Sequence, residues 1–304
     1  MRGPWTHREV SANGIRLHVT EAGRGPLVLL LHGFPEFWWS WRFQLIALAD
    51  AGLRAVAVDL RGYGDSDKPP RGYDLWTLAG DVAGLVRALG DTRAALVGHD
   101  WGGLIAWCVA ALHPRSVSSI AVLAAPHPLA LRRAWIRDGG QRRASRFVAG
   151  FQVPLLPERR LVREEGAHVE HLLRSWGGPR WTSEPEFAEV TRRNRAAMTI
   201  PGAAHSACEY YRWVVRSQLR PDGHRFAAAI GHRIAVPVLQ LHGTADPCVL
   251  ERTARGSDAW TAGEHRYHAL DGVGHFVHQE EPKLTNTLLT EFLAAGSRPW
   301  SAEA

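Results

Sequence analysis

The chain has 304 residues, of which 45% are hydrophobic, and a formal net charge of +6. That length can bury one large core or two smaller ones, and the apolar fraction is ordinary for a soluble globular protein. No apolar run approaches the roughly 20 residues needed to span a bilayer, and Met1 to Val10 lacks the apolar stretch of a secretory leader, so no membrane partner is expected. Of the 36 basic residues only Lys68 and Lys283 are lysine. Between Ala130 and Ala229, 18 arginines face 10 acidic residues, while the remainder of the chain is slightly acidic. A basic stretch can mark a nucleic-acid surface. Here the arginines are interleaved with acids in amphipathic segments such as Pro157 to Arg174, which reads as a solvated helical face, and no nucleic-acid partner is expected. Cys108, Cys208 and Cys248 are scattered singly with no metal-type spacing. They are expected to be packing residues in a reducing cytoplasm. A homodimer is left open.

In chain order, Glu9-Val10 and Ile15 to Val19 flank Asn13-Gly14, a hairpin turn signal. Leu27 to Leu31 is a continuous apolar run, hence a buried strand, which enters the turn His32-Gly33-Phe34-Pro35-Glu36. Trp38 to Ala51 reads as a helix, Arg54 to Asp59 as a strand, and Arg61 to Gly72 as a glycine-rich loop. Trp76 to Leu89 is a second helix. Ala94 to Val97 is a strand, Leu104 to Leu112 a buried helix ended by Pro114, and Val117 to Leu123 another strand. From about Leu129 to Ala229 the segments are helical, arginine-rich and broken by prolines, with no strand-like run. The strand pattern resumes at Val236 to His242 and Arg266 to Leu270 and closes with a helix over Lys283 to Ala294. Strands alternating with helices predict a mostly parallel sheet covered on both faces. The expected organisation is an α/β core over residues 1–128 and 230–304, with an inserted α-helical lid over 129–229. Ligands on such sheets bind at the carboxyl ends of the strands.

One stretch lies at such a strand end. Gly98-His99-Asp100-Trp101-Gly102-Gly103 joins the strand ending at Val97 to the following helix. A glycine-flanked residue between strand and helix is a nucleophile elbow, normally written G-x-S-x-G. The central residue here is Asp100. The glycines let strand and helix approach closely enough to push its side chain outward, and the helix N-terminus favours the ionised carboxylate. A carboxylate attacking a saturated carbon gives an ester that water can later cleave, whereas a serine would leave an inert ether. The chemistry expected is therefore alkyl transfer followed by hydrolysis. The plainer alternative for Asp100 is a helix N-cap.

Two later loops supply partners. Asp246 lies in Gly243-Thr244-Ala245-Asp246-Pro247 after one core strand, and His275 in Gly272-Val273-Gly274-His275-Phe276 after the next. Nucleophile, acid, histidine is the chain order of α/β-hydrolases. His275 would act as general base on water, oriented by Asp246. Taken singly, Asp246 also reads as a turn residue and His275 as a surface-loop histidine, one of 16.

His32-Gly33-Phe34-Pro35-Glu36-Phe37-Trp38-Trp39-Ser40-Trp41, Asp59-Leu60-Arg61-Gly62-Tyr63-Gly64-Asp65-Ser66-Asp67-Lys68-Pro69 and Gly98 to Gly103 together resemble the epoxide hydrolases of the α/β-hydrolase fold. With Asp246 and His275 the resemblance covers the whole core; the lid matches more loosely. It implies that Asp100 opens an epoxide to form an alkyl-enzyme ester, which is then hydrolysed to a vicinal diol. It also implies an oxyanion hole from the backbone N–H groups of Phe34 and Trp101, a cis Phe34-Pro35 bond, and a pocket lined by Phe34, Trp101, Phe147 and Tyr210 for a small apolar epoxide. The family commonly supplies two lid tyrosines as proton donors to the alkoxide. Tyr211, before Arg212, matches one. The other lies five residues before the Gln of an aromatic-Gln-x-Pro motif, here Phe151-Gln152-Val153-Pro154, and that position holds Phe147. Tyr210 and His205 are the candidate substitutes.

Haloalkane dehalogenase is the competing reading. It uses the same nucleophile and ester, with Trp101 as one halide donor, but the second donor position, often Asn, is Phe34. A non-catalytic binding protein on the same fold is a further alternative, since a fold alone does not fix an activity. Serine-type esterase chemistry is disfavoured by the elbow. No cofactor or metal is implied, because neither a dinucleotide glycine fingerprint nor clustered ligand spacing occurs.

Overall fold

The computed structural model describes residues 1 and 3–296. Its eight strands are β1 (Thr6–Ala12), β2 (Ile15–Ala22), β3 (Leu27–Leu31), β4 (Arg54–Val58), β5 (Ala94–His99), β6 (Val117–Leu123), β7 (Val238–Gly243) and β8 (His265–Leu270). They form one sheet in the order β1-β2-β4-β3-β5-β6-β7-β8. The β1–β2 and β2–β4 pairs are antiparallel and all others parallel. The Asn13-Gly14 turn joins β1 to β2, with both residues at positive φ (48° and 78°), as its hairpin signature requires. β3, β5 and β7 are buried at every position, which is why their sequences are runs rather than alternations.

Helices α1 (Arg42–Asp50), α2 (Leu75–Ala88) and α3 (Trp101–Leu112) cover the first half of the sheet. Asp74 caps α2 by accepting the Thr77 N–H at 2.9 Å, and Arg87 sits in its last turn, so both ends complement the helix dipole. α3 is apolar all round and buried from Trp101 to Ala111, as a helix without a polar face must be. Between β6 and β7 the described residues contain helices only: α4 (Pro128–Arg137), α5 (Gly139–Ala144), α6 (Phe147–Gly150), α7 (Leu156–Val162), α8 (Ala167–Trp176), α9 (Pro179–Thr182), α10 (Glu186–Met198), α11 (Ala203–Ser217) and α12 (Pro221–Ala229), with one 3-10 turn. α13 (Glu251–Arg255), α14 (Val277–Glu280) and α15 (Pro282–Gly296) complete the core. The architecture is the α/β-hydrolase fold with an inserted helical segment. No described helix is long and apolar enough to cross a membrane.

Several boundaries depart from the sequence reading: α3 begins at Trp101 rather than Leu104, β5 ends at His99 rather than Val97, and two further departures have a direct physical cause. Trp38 to Ala51 is not one helix: a 3-10 turn over Trp38–Trp41 precedes α1. All four of its residues are buried, and the Trp38 N–H is taken by Asp59 Oδ1 at 2.9 Å, which fixes a tighter start than an α-turn. β7 begins at Val238 rather than Val236, because Pro237 has no N–H to give a neighbour and joins the sheet only by accepting the Ile120 N–H at 3.0 Å.

Strand and helix approach closely at the elbow. A methyl group on Gly102 would collide with the backbone carbonyls of Leu31 and His32 on the neighbouring strand. Backbone cannot yield as a flexible side chain can, and overpacking costs typically 1–3 kcal/mol. Gly102→Ala is expected to lose about 2 kcal/mol or more of stability in urea unfolding; a loss under about 0.5 kcal/mol would mean that strand and helix are free to separate.

Candidate active site

Asp100 ends β5 and starts α3 with φ 49° and ψ −115°, a conformation rare for a residue with a side chain. The strain aims the carboxylate away from the sheet and into a cavity between the core and the inserted helices. Asp100 Oδ2 accepts the Phe34 N–H at 2.9 Å; the Phe34–Pro35 peptide is cis. Asp100 Oδ1 lies 3.8 Å from His275 Nε2. His275 Nδ1 is 2.8 Å from Asp246 Oδ2. The other Asp246 oxygen accepts the N–H groups of Cys248 (2.7 Å) and Val249 (3.1 Å). Three side chains from three loops after β5, β7 and β8 thus meet in one line.

The charges are tuned by burial and by each other. Burial raises the Asp100 carboxyl above its ordinary range, against the opposing pull of His275 and of the Phe34 and Trp101 N–H groups. Its side chain keeps 17% of its surface exposed, so it remains open to the cavity. Burial alone would lower His275, but Asp246, Asp100 and Glu36 outweigh it and raise the imidazole to about 9. Asp246 is buried too, yet the His275 charge and hydrogen bond hold it below its usual value.

The cavity encloses about 100 Å³. Asp100, His275, Trp101, Phe147, Trp176 and Tyr211 all contribute to its lining, most of which is apolar. Trp101 and Tyr211 meet edge-to-face at 5.0 Å. Burial, then the charge of Asp100, pushes the Tyr211 phenol well above its ordinary range, so it stays protonated. Phe147 stands 6.0 Å from the Tyr211 ring and offers no proton.

Three candidates are placed elsewhere. Tyr210 does not line the cavity: it is fully buried and its hydroxyl donates to the Arg61 carbonyl at 2.7 Å. Consecutive residues on a helix point about 100° apart, so Tyr210 and Tyr211 cannot share one face. His205 is half exposed, 3.6 Å from Glu158, on the outside of α11. The Phe34 ring is enclosed by Phe151, Trp176 and Tyr211 (5.4, 5.9 and 5.5 Å); it gives the site its backbone N–H, not its surface.

A second buried cluster was not singled out from the sequence. His99 Nδ1 lies 2.7 Å from Glu36 Oε2 and His99 Nε2 lies 2.9 Å from the His275 carbonyl. Gln279 donates to Glu36 Oε1 at 2.6 Å. Both ring nitrogens of His99 thus face acceptor oxygens. The cluster holds the loop of His275 by its backbone. Glu36, His99 and His278 also come close enough to share a metal ion, but hydrogen bonds already engage both ring nitrogens of His99 and both oxygens of Glu36. Within its motif, His99 stands beside Asp100 in sequence; its alternation to the opposite face of β5 was the available signal.

A model of the alpha/beta hydrolase fold family matches residues 26–282. Among curated relatives, epoxide hydrolase A of Mycobacterium tuberculosis is 34% identical, covering 96% of this chain and 98% of its own. Epoxide hydrolase 4 of Mus musculus is 33% identical over 97% of this chain and 81% of its own. The crystal structure of epoxide hydrolase A from Mycobacterium thermoresistibile superposes with a TM-score of 0.77 at 32% identity, covering 95% of this chain and 98% of the other. Match and coverage extend through both halves of the core and the helices between them, and the chain belongs to the epoxide hydrolase family of α/β-hydrolase-fold hydrolases.

Proposed function

We propose that the protein hydrolyses small apolar epoxides to vicinal diols through an ester on Asp100. The observation that carries the reading is the position of the Asp100 carboxylate in an apolar cavity, one oxygen already on the Phe34 N–H and a protonated phenol in the same lining. Asp100 Oδ1 attacks a ring carbon, the carbon–oxygen bond of the epoxide breaks, and Tyr211 gives its proton to the departing alkoxide. His275 then takes a proton from water, whose oxygen attacks the Asp100 carboxyl carbon. The oxyanion forms at Oδ2, where the Phe34 N–H already points and the Trp101 N–H lies nearby, so no donor has to move. Collapse breaks the ester bond and His275 returns its proton to the leaving diol oxygen; the second proton of the water, left on the Asp100 carboxyl, passes by way of solvent to the Tyr211 phenolate, so that Asp100 and Tyr211 are both restored.

The electrostatics favour this order. In the resting site Asp100 is one cause of the raised His275. Ester formation removes that charge, so the imidazole loses affinity for its proton when it must act as base. The dehalogenase reading has one observation in its favour: the Trp101 indole N–H is buried without a hydrogen-bond partner. Phe34 cannot supply the second halide donor, and the epoxide reading uses Tyr211, which a halide would not need.

Three outcomes test the scheme. In His275→Gln, mass spectrometry after addition of styrene oxide should find the protein heavier by one substrate, with the label on Asp100; a variant that binds substrate yet stays unmodified would refute the ester. Tyr211→Phe is expected to slow single-turnover ester formation by about 10²–10⁴-fold, the usual worth of a general acid. Tyr210→Phe should leave that rate within a few-fold, losing instead roughly 1 kcal/mol of stability with its bond to Arg61. Equal rates in wild type and Tyr211→Phe would remove the phenol from the mechanism, and halide release from a chloroalkane without diol formation would establish the other reading. For pH, ester decay should accelerate with rising pH through a midpoint below about 9, the value for the resting site. A midpoint at or above the one titrated for His275 in the free enzyme would show that Asp100 does not set it.

A further inference from the structure

A second and larger concavity adjoins the catalytic cavity. It holds about 930 Å³ and shares Phe147 and Trp176 with it. The two rings, 4.9 Å between centroids, form the wall between the spaces. The basin's floor is apolar, with buried Pro157, Leu161 and Leu172, and Val153 and Leu156 are 46% and 50% exposed. Its rim carries Arg143, Arg146, Arg160 and Arg252, and no aspartate or glutamate lines it. Arg252 is matched by Asp138 at 2.6 Å. Arg143, Arg146 and Arg160 have no side-chain hydrogen bond, ion pair or ring contact among the described residues.

Elsewhere on the inserted helices many arginines are matched, as Arg174 with Glu170, Arg192 and Arg193 with Glu189, and Arg212 with Glu158. What sets the basin apart is that three unmatched arginines rim one apolar concavity that no carboxylate lines. Inside the basin, His168 is lowered by burial, then by His171 and Arg160, with no carboxylate opposing them. Three unmatched guanidinium groups around a concave apolar floor are complementary to one kind of small ligand: an anionic head group on an apolar chain.

We propose that the basin binds a long-chain carboxylate, with the head group on Arg143, Arg146 and Arg160 and the chain running over the floor toward the Phe147–Trp176 wall. Combined with the epoxide reading, on which this part rests, the favoured substrates carry the epoxide at a distance from a carboxylate. The binding itself does not depend on that reading.

The test separates the two. Dodecanoate, below its micelle concentration, is titrated calorimetrically into wild type and into Arg143→Gln/Arg146→Gln/Arg160→Gln. All three side chains are exposed and unpartnered, and matched thermal unfolding verifies that the variant folds. Wild type should bind dodecanoate about tenfold more tightly than dodecanol, and the triple variant should lose that margin, since three individually weak exposed contacts go together. Binding should also weaken with added salt. In turnover, the triple variant should lose about tenfold of any preference for 10,11-epoxyundecanoate over its methyl ester, through KM. Equal affinity for dodecanoate and dodecanol, or dodecanoate affinity indifferent to the three substitutions, overturns the proposal. So does arginine-dependent binding to phosphatidylglycerol vesicles with none to monomeric dodecanoate, which would make the basin a membrane contact. Arginine-dependent dodecanoate binding without epoxide turnover would uphold the basin while refuting the epoxide reading.

Discussion

The site depends on one strained residue. Asp100 sits at φ 49° because β5 runs straight into α3 with no room for a loop between them. Gly102 lets the first turn of α3 pass against the carbonyls of Leu31 and His32, and Gly33 leaves the space in which the Asp100 side chain lies. Holding a non-glycine residue there costs on the order of 1–3 kcal/mol, offset by the burial of α3 along nearly its whole length. What the strain secures is direction. The carboxylate leaves the sheet with one oxygen on the Phe34 N–H and the other toward His275, so its two oxygens are already distinguished before substrate arrives.

Around that residue the protein arranges buried charge as an alternating chain. Asp246, His275 and Asp100 form one set, and Glu36 with His99 forms another, joined to the first through the His275 carbonyl. An isolated buried carboxylate would simply take up a proton. Each acid here faces an imidazole, and the orienting acid also accepts backbone N–H groups. Asp100 alone is left partly open and raised by burial, which is the condition of a group meant to react. In the proposed scheme, its conversion to an ester is the event that changes the proton affinity of its neighbour.

Much of this was legible in the sequence, and for identifiable reasons. Buried parallel strands are continuous apolar runs, so β3 to β7 announced themselves, and the loops after β5, β7 and β8 could be assigned Asp100, Asp246 and His275 from their order. Helix phase within the inserted segment was harder. Tyr210 and Tyr211 are equivalent to any composition argument; only the packing of α11, which turns Tyr210 onto Arg61, separates them. His99 and Glu36 escaped notice because their partners are 63 and 176 residues apart in sequence and include a backbone carbonyl, which no side-chain pattern encodes. The basin escaped for a related reason. Net charge along α5 to α8 shows an excess of arginine, but not which arginines lack an acid in space.

The inserted helices cannot be regarded as a removable cover over a self-sufficient core. The His275 N–H donates to the Trp176 carbonyl at 2.9 Å at the end of α8. Glu280 accepts the N–H of Gly178 from the inserted segment and that of Gly274 from the histidine loop on the same oxygen, at 2.9 and 2.7 Å. Arg42, on α1, is held by Glu186 at 2.6 Å, and Tyr210 closes onto Arg61 in the loop after β4. Cutting the segment out would strip partners from the backbone that carries His275 and remove the Glu186 carboxylate from Arg42 and the Gly178 N–H from Glu280, at a cost that breaking such contacts commonly imposes. The backbone of His275 is therefore held from both sides, by His99 at its carbonyl and by Trp176 at its N–H. The same α8 residue forms the wall of the basin, so whatever displaces the Trp176 ring acts on a residue whose carbonyl holds the His275 loop.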